Sequence, residues 1–119
     1  MIGDTVALTV NAVGKTLSKI NQDSYGAEYY LRETDREYRM KIRHSKQAPT
    51  ATGKPVDRHN VELTCTILAT STTPSIVRTA YFVLVNEHDD VYLDNRYIAK
   101  ALADWQSTAN LDKVYIWES

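Results

Sequence analysis

Residues 36–45 read REYRMKIRHS, and polar and apolar side chains alternate along this stretch. The even positions Tyr38, Met40 and Ile42 are apolar. The odd positions are all polar: Glu37, Arg39, Lys41, Arg43 and Ser45. Because successive side chains of a β-strand point to opposite faces of a sheet, this period of two predicts a strand with one packed face and one polar face.

The alternation continues beyond a segment that has the composition of a loop. Lys46 to Asp57 contains two prolines and a glycine among small polar residues, which predicts a long flexible loop. From Arg58 to Ala69 the alternation returns, but here the apolar residues stand at odd positions and the polar residues at even positions. The apolar residues are Val61, Leu63, Cys65 and Ile67, and the polar ones are Asn60, Glu62, Thr64 and Thr66. This segment is therefore predicted to be a second strand with two unlike faces.

Residues 76–85 fit two kinds of secondary structure. A helix would have Thr73 as its cap and Pro74 at its first position. A strand is favoured by the β-branched and aromatic run Tyr81 to Val85 and by a tight connection at Thr70 to Ser75. We prefer the strand, with a register that keeps one face polar. That register pairs Thr64 with Tyr81, Thr66 with Thr79 and Leu63 with Phe82.

The remaining segments predict a hairpin at the start of the chain and a helix near its end. Asp4 to Val10 and Thr16 to Ile20 alternate on either side of a turn, and Ala27 to Arg32 is predicted to be a third strand. After an acidic loop, Asn86 to Val91, we expect a helix from an Asp94 N-cap to about Ser107, covering one sheet face. Lys113 to Trp117 is predicted to be a short amphipathic or β-like tail. The predicted fold class is α+β, with residues 1–119 as one domain.

Composition excludes several classes of protein. The 119 residues are 43% hydrophobic and include no apolar run of membrane-spanning length. The first residues lack the order of a signal peptide, so we expect a cytoplasmic protein without membrane contact. Cys65 is the only cysteine, which rules out an intrachain disulfide. His44, His59 and His88 lack ligand spacing in the sequence, so no metal site and no cofactor are predicted. No catalytic motif is present either.

Charge is distributed unevenly, although the formal net charge is −1. Only two acids lie between Arg36 and Arg58, whereas the chain from Glu87 onward is predominantly acidic. The bases of the first region are Arg36, Arg39, Lys41, Arg43, Lys46, Lys54 and Arg58. This region is suited to a polyanionic partner.

Several stretches of the chain resemble the coat proteins of single-stranded RNA bacteriophages. They are TVALTVNAVGKTLSKINQDSYG, EYYLRETDREYRMKIRHSK, DRHNVELTCTILATSTTP and the terminal WES. The resemblance implies a non-enzymatic subunit whose antiparallel sheet lines the inside of an icosahedral shell. It also implies an intertwined homodimer with interlocking helices, a place in the virion after assembly in the bacterial host cytoplasm, and translational repression through an RNA hairpin as an added role.

The resemblance further implies RNA contacts on the sheet face away from the helices, which is the polar face that the alternation identifies. The residues carried over are Arg39, Lys41, Arg43, Asn60, Glu62, Thr64, Thr79 and Tyr81. Bases would neutralise phosphates, Asn and Thr would hydrogen-bond nucleotides, and Tyr81 would stack on an unpaired base. Lys41 and Glu62 are expected to pair across strands, which would neutralise part of the face. For Arg39, Lys41 and Arg43 the alternative interpretation is an ordinary strand face that is exposed to water and binds no RNA. The alternative function is a dimeric RNA-binding regulator that forms no shell.

Overall fold

A computed structural model of the chain describes residues 2–47, 51 and 53–118. Six antiparallel strands lie in one sheet in the order of the sequence, and two helices follow. The strands are β1 (Thr5–Val10), β2 (Val13–Asp23), β3 (Gly26–Arg32), β4 (Arg36–Gln47), β5 (Val56–Ile67) and β6 (Ile76–Glu87). The helices are α1 (Tyr92–Trp105) and α2 (Thr108–Tyr115). The predicted order of hairpin, antiparallel sheet and C-terminal helix is confirmed.

The first hairpin closes through a two-residue turn. Val10 pairs with Val13, and Asn11 and Ala12 between them have positive φ angles of 50° and 63°. Two consecutive residues with positive φ match the turn whose twist suits a tight β-hairpin. The turn is thus shorter than the predicted one, and β2 extends three residues beyond Ile20, to Asp23.

The strand interpretation of residues 76–85 is confirmed, and the helical alternative is wrong. The predicted register was wrong by two residues, because Thr64 lies opposite Thr79 and Glu62 lies opposite Tyr81. The observed register places Val61 opposite Phe82 and Ile67 opposite Ile76, so apolar residues meet on the packed face. A shift of two preserves the face on which every side chain lies.

The connections between the last strands also differ from expectation. Gln47 still pairs with Val56, so strand pairing extends into both ends of the predicted loop from Lys46 to Asp57. Residues 48–50 and 52 of that loop lie outside the described residues. Between β5 and β6, the Thr70 hydroxyl accepts hydrogen bonds from the backbone N–H groups of Thr72 (3.3 Å) and Thr73 (3.1 Å). The Thr70 N–H donates to the Thr73 carbonyl at 2.9 Å, so this turn satisfies its own polar groups.

The buried core lies on one face of the sheet. Leu17, Tyr29, Tyr38 and Ile42 form it, with apolar residues of β1 packed against them. Tyr29 is fully buried, and its hydroxyl donates a 2.8 Å hydrogen bond to the Gly3 carbonyl, which ties the start of the chain to the third strand. These core residues lie on the opposite face from Arg39, Lys41 and Arg43, as the alternation predicts.

Both helices differ in extent from the sequence-based expectation. The N-cap of α1 is Val91, which makes no side-chain capping bond, and Asp94 lies within the first turn. The prediction of Asp94 as the cap was therefore wrong. The backbone becomes helical earlier there, beside Asp90, whose carboxylate accepts from the Val91 N–H at 2.8 Å.

The tail from Lys113 to Trp117, predicted to be amphipathic or β-like, is not a strand: it belongs to α2 as far as Tyr115. The Ser107 hydroxyl caps α2 by accepting from the Asn110 N–H at 3.3 Å. This cap starts a new helix at the position where the predicted single helix would end.

Neither helix covers the sheet of its own chain. No side chain of α1 or α2 is buried, although both carry large apolar residues. The expectation that the helix would cover one sheet face is therefore not met within a single chain. The apolar helix faces remain available for a partner.

Candidate nucleic-acid interface

All eight predicted site residues lie on one face of the sheet, opposite the core. The observed register arranges them in rows across β4, β5 and β6. One row is Lys41, Glu62 and Tyr81, the next is Arg39, Thr64 and Thr79, and the third is Arg43 and Asn60, with Val83 in the last position. We call this surface the polar face. The structure therefore places together every residue that the resemblance implied.

Arg39 is held in a network with neighbours from β3. Its guanidinium forms an ion pair with Glu28 and lies over the ring of Tyr30, 5.1 Å from the centroid. The Tyr30 hydroxyl donates a 2.6 Å hydrogen bond to Glu37. The bond to Glu28 raises the pKa of Arg39, and the bond to Glu37 raises the pKa of Tyr30. Arg39 is thus fixed in place and partly neutralised.

Arg43 and Lys41 are less constrained. Arg43 forms a 3.4 Å ion pair with Asp23, and both side chains are about half exposed. Lys41 lies opposite Glu62, as expected from the sequence, but no ion pair joins these two described side chains. Surface pairs such as Arg43 with Asp23 contribute little to stability, so both bases retain charge to offer a phosphate.

The polar face is closer to charge balance than the sequence of β4 suggests. On β2 to β5 its bases are Arg32, Arg39, Lys41, Arg43 and Arg58. Its acids are Asp23, Glu28, Glu37 and Glu62. Three of these acids come from β2, β3 or the start of β4, so the sheet brings them beside the bases. Attraction of a polyanion would therefore be local, at Lys41, Arg43 and Arg58.

Arg58 is the residue of this surface that the predicted site omitted. It lies opposite Ser45 and Val85, and it lines a shallow pocket together with Asn60, Glu62 and Tyr81. Arg58 stands at an even position of β5, as Asn60, Glu62 and Thr64 do. The same alternation could therefore have predicted it. The pocket combines a cation, a carboxylate, an amide and an aromatic ring.

The amide of Asn60 gives this pocket an unused acceptor. Its Oδ1 atom is buried and has no hydrogen-bond partner among the protein atoms. A buried polar atom without a partner is costly, so a donor from a ligand or water would satisfy it. Tyr81 beside it is 71% exposed, which leaves its ring free to stack.

The hydroxyl pair at the other end of the polar face is also accessible. Thr64 Oγ1 and Thr79 Oγ1 lie 3.4 Å apart across β5 and β6, near the edge of the sheet. Each hydroxyl can donate and accept, so both are suited to sugar or base contacts. This end of the face carries no charge on β5 or β6.

Neither metal-ligand clusters nor membrane spans are found in the part of the chain that the structure describes. No group of three or more His, Cys, Asp or Glu side chains within residues 2–47, 51 and 53–118 is arranged to hold a metal ion. Neither described helix is long and apolar enough to cross a membrane.

Comparisons with known proteins agree with this architecture. The family model of the phage phiCb5 coat protein matches residues 3–87, which end where β6 ends. Among solved structures, the coat protein of bacteriophage EMS014 has a TM-score of 0.68 at 15% sequence identity, over 87% of this chain and 72% of that chain. No curated protein sequence matches. The similarity to the solved structure shows the shared fold, and the family model covers the whole sheet. The chain therefore belongs to the phage phiCb5 coat protein family and is a structural protein of a phage capsid.

Proposed function

We propose that this capsid protein encloses single-stranded phage RNA and binds it on the polar face. In this proposal homodimers assemble into a closed icosahedral shell in the bacterial cytoplasm, with the polar face directed inward in the virion. The observation that carries the proposal is the arrangement of Arg39, Lys41, Arg43, Asn60, Glu62, Thr64, Thr79 and Tyr81 on one uninterrupted surface.

The dimer is supported by the apolar surface that a single chain leaves exposed. Tyr97, Ile98, Leu102 and Trp105 of α1 are each between 49% and 72% exposed. The accessible surface of the chain is 9069 Å², whereas a compact monomer of this mass has about 6,500 Å². An excess of this order is what a large obligate interface covers.

The edge of the sheet formed by β6 supports the same arrangement. β6 pairs with β5 on one side only, and its residues from Ile76 to Tyr81 are exposed. An unpaired edge strand with exposed apolar residues is a template for pairing with another chain. In the proposed dimer, the β6 edges of two copies meet, and α1 of each copy packs on the partner's sheet. The polar faces then form one continuous surface.

RNA contact on that surface would use two kinds of interaction. Lys41, Arg43 and Arg58 would neutralise phosphates, and this part of the affinity would fall as salt rises. The pocket of Arg58, Asn60, Glu62 and Tyr81 would receive one unstacked base, with Asn60 Oδ1 accepting from it. A genomic hairpin recognised there would allow the coat protein to act as a translational repressor.

Particle size and RNA content test the proposal directly. The chain is expressed in bacteria, and the purified material is measured by size-exclusion chromatography with light scattering and by its absorbance ratio at nucleic-acid and protein wavelengths. Uniform virus-sized particles that contain RNA are expected. A dimer that stays small under all assembly conditions while binding RNA would indicate the regulator that forms no shell. Particles that never contain RNA would contradict the role of the polar face.

A further inference from the structure

The fold brings together the three histidines that are far apart in the sequence. His44 on β4 lies directly opposite His59 on β5, and both lie on the core side of the sheet. Their Nδ1 atoms are 2.8 Å apart, and their ring centroids are 5.1 Å apart. His88 follows β6 and contacts Asp57, two residues before His59, with its Nδ1 atom 2.7 Å from the carboxylate. Sequence spacing alone had argued against such a cluster.

The contact between the two Nδ1 atoms restricts the protonation of the pair. One imidazole must donate an Nδ1 proton, and the other must accept it with an Nδ1 lone pair. Two imidazolium rings could not share this contact, because both nitrogens would be donors. The two rings therefore share a single proton, and the lone pair of one Nδ1 atom points at the Nδ1–H group of the other ring.

A metal ion could replace that proton with little movement of the rings. Imidazole nitrogens bind Zn²⁺ at about 2.0–2.1 Å, so two nitrogens that bind one ion at square or tetrahedral angles lie about 2.8–3.4 Å apart. The observed separation of 2.8 Å lies at the lower end of this range, so a tetrahedral site would need the two nitrogens to move apart by about half an ångström. His44 is exposed and His59 is half-buried, so His44 is the ring with room for this adjustment.

The surrounding charges are mixed and include one well-placed carboxylate. Asp57 lies on the same face as His59, and its pKa is lowered first by the bond to His88 and then by nearby positive charge, including His59. Lys46, opposite Asp57, acts against a cation. His59 also lines a cleft with His88, Asp90 and Arg96. Charges of both signs therefore surround the pair.

We propose that His44 and His59 form a two-imidazole binding site for a first-row divalent ion such as Zn²⁺, Ni²⁺ or Cu²⁺. Imidazole is a preferred ligand of these ions. Water would complete the coordination, because no third ligating side chain of the described residues joins the pair. The site is on the opposite face from the proposed RNA surface, so it does not depend on RNA binding. It would be an open, exchangeable site that competes with protons.

Matched variants of the three histidines test the proposal. The untagged protein is titrated with Cu²⁺ by calorimetry, and the bound ion is examined by electron paramagnetic resonance. We expect His44→Gln and His59→Gln each to weaken Cu²⁺ binding by at least about tenfold and to reduce the number of equatorial nitrogens. His88→Gln, the control, retains wild-type binding. Wild-type affinity in the double variant His44→Gln with His59→Gln would overturn the proposal, as would an equal loss in His88→Gln.

A second measurement needs no variant and is unaffected by misfolding of one. Wild-type protein is exposed to Cu²⁺, ascorbate and peroxide, which oxidise side chains next to a bound copper ion. Peptide mass spectrometry then locates the oxidised residues. Oxidation concentrated at His44 and His59, with His88 spared, is the expected result. Equal oxidation of all three histidines, or oxidation first at His88, would contradict the site.

Discussion

At the scale of single residues, Arg43 is the base whose charge is most easily tested. It lies on the polar face with a half-exposed side chain and a loose ion pair to Asp23. In the proposed RNA complex, the change Arg43→Glu replaces a positive charge that would attract phosphate by a negative charge that repels it, so RNA affinity should fall. The slope of log affinity against log salt should become less steep by about 0.7 for each phosphate that is no longer neutralised. Fluorescence anisotropy with a short single-stranded RNA over a salt series measures both.

Lys46→Glu provides the matched control for this change. Lys46 is exposed on the same strand but lies on the other face, because it is three residues from Arg43. It makes the same change in net charge. Equal loss of RNA affinity in both variants would mean that binding follows the total charge of the protein and not the polar face.

The pair of His88 and Asp57 gives the protein a pH-dependent contact. Its 2.7 Å bond raises the pKa of His88 and lowers the pKa of Asp57. The His88 contribution is complete below the ordinary histidine pKa of about 6.5 and disappears as pH rises through the raised value. The Asp57 contribution is complete above the ordinary value of about 3.9 and disappears as pH falls through the lowered one.

We therefore expect this contact to stabilise the fold most between about pH 4 and pH 6.5. The urea midpoint of wild type should exceed that of His88→Gln within this window, and the two should converge at alkaline pH. High salt should reduce the difference, since both groups are accessible to solvent. A difference that is constant from pH 4 to pH 9 would show that the charge of His88 does not contribute.

At the scale of elements, the close approach of β3 and β4 depends on Gly26. A Cβ atom at this position would overlap the Ile42 carbonyl oxygen and lie 3.0 Å from Arg43 Cδ. Gly26→Ala would force the two strands apart, and we expect a loss of about 1–3 kcal/mol in the free energy of unfolding. Urea denaturation followed by circular dichroism measures this loss.

Gly14→Ala is the control for the loss of a glycine within a strand. Gly14 lies in β2, its φ is not positive, and a Cβ atom there would have no neighbour within 4 Å. This variant should be neutral or slightly more stable, because alanine lowers the entropy of the unfolded chain. A similar loss in both variants would attribute the effect to strand flexibility instead of the contact between β3 and β4.

The elements with a strict period of two are those that could be predicted best from the sequence. In β4 and β5 the alternation assigned each site residue to the correct face, because a buried face fixes parity. The register of strand pairing was harder to predict, because a shift of two residues leaves every side chain on the same face and changes the polar and apolar pattern little. The apolar pair Ile67 and Ile76 decides between them only once the turn at Thr70 is known.

Contacts between distant segments explain most of what the sequence could not predict. Glu28 and Asp23 reach Arg39 and Arg43 only through strand pairing, so the charge balance of the polar face was not apparent. For the helices, the prediction failed in a different way. Their apolar spacing suggested packing on the sheet of the same chain, but none of their side chains is buried there. Hydrophobic periodicity reveals that a face is packed, but not against which chain.

At the scale of the whole molecule, the single chain is extended. Its radius of gyration is 17.1 Å and its extents are 55 × 38 × 24 Å, whereas a compact domain of this length has a radius of gyration of about 13–14 Å. Only Leu17, Tyr29, Tyr38, Ile42 and Val56 are buried hydrophobic residues among those described. Such a small core offsets little of the conformational entropy lost on folding.

Stability should therefore depend on association. For a folded dimer in equilibrium with unfolded chains, each tenfold rise in concentration adds about 1.4 kcal/mol per dimer. The urea midpoint of the proposed dimers, measured free of any assembled shell, should therefore rise over a hundredfold range of protein concentration. Tryptophan fluorescence follows the unfolding. A midpoint that does not change with concentration would show that the monomer folds alone.

The turn between β5 and β6 has a practical consequence for the assembled molecule. Its polar groups are satisfied within the turn by Thr70, and residues 69–75 are exposed, so the side chains of the turn are not packed against the sheet. A foreign peptide grafted between Ser71 and Thr72 would lengthen a connection whose entropic cost grows only slowly with length. In a closed shell the same graft would be repeated once per subunit, which would make this protein a scaffold for the multivalent presentation of antigens.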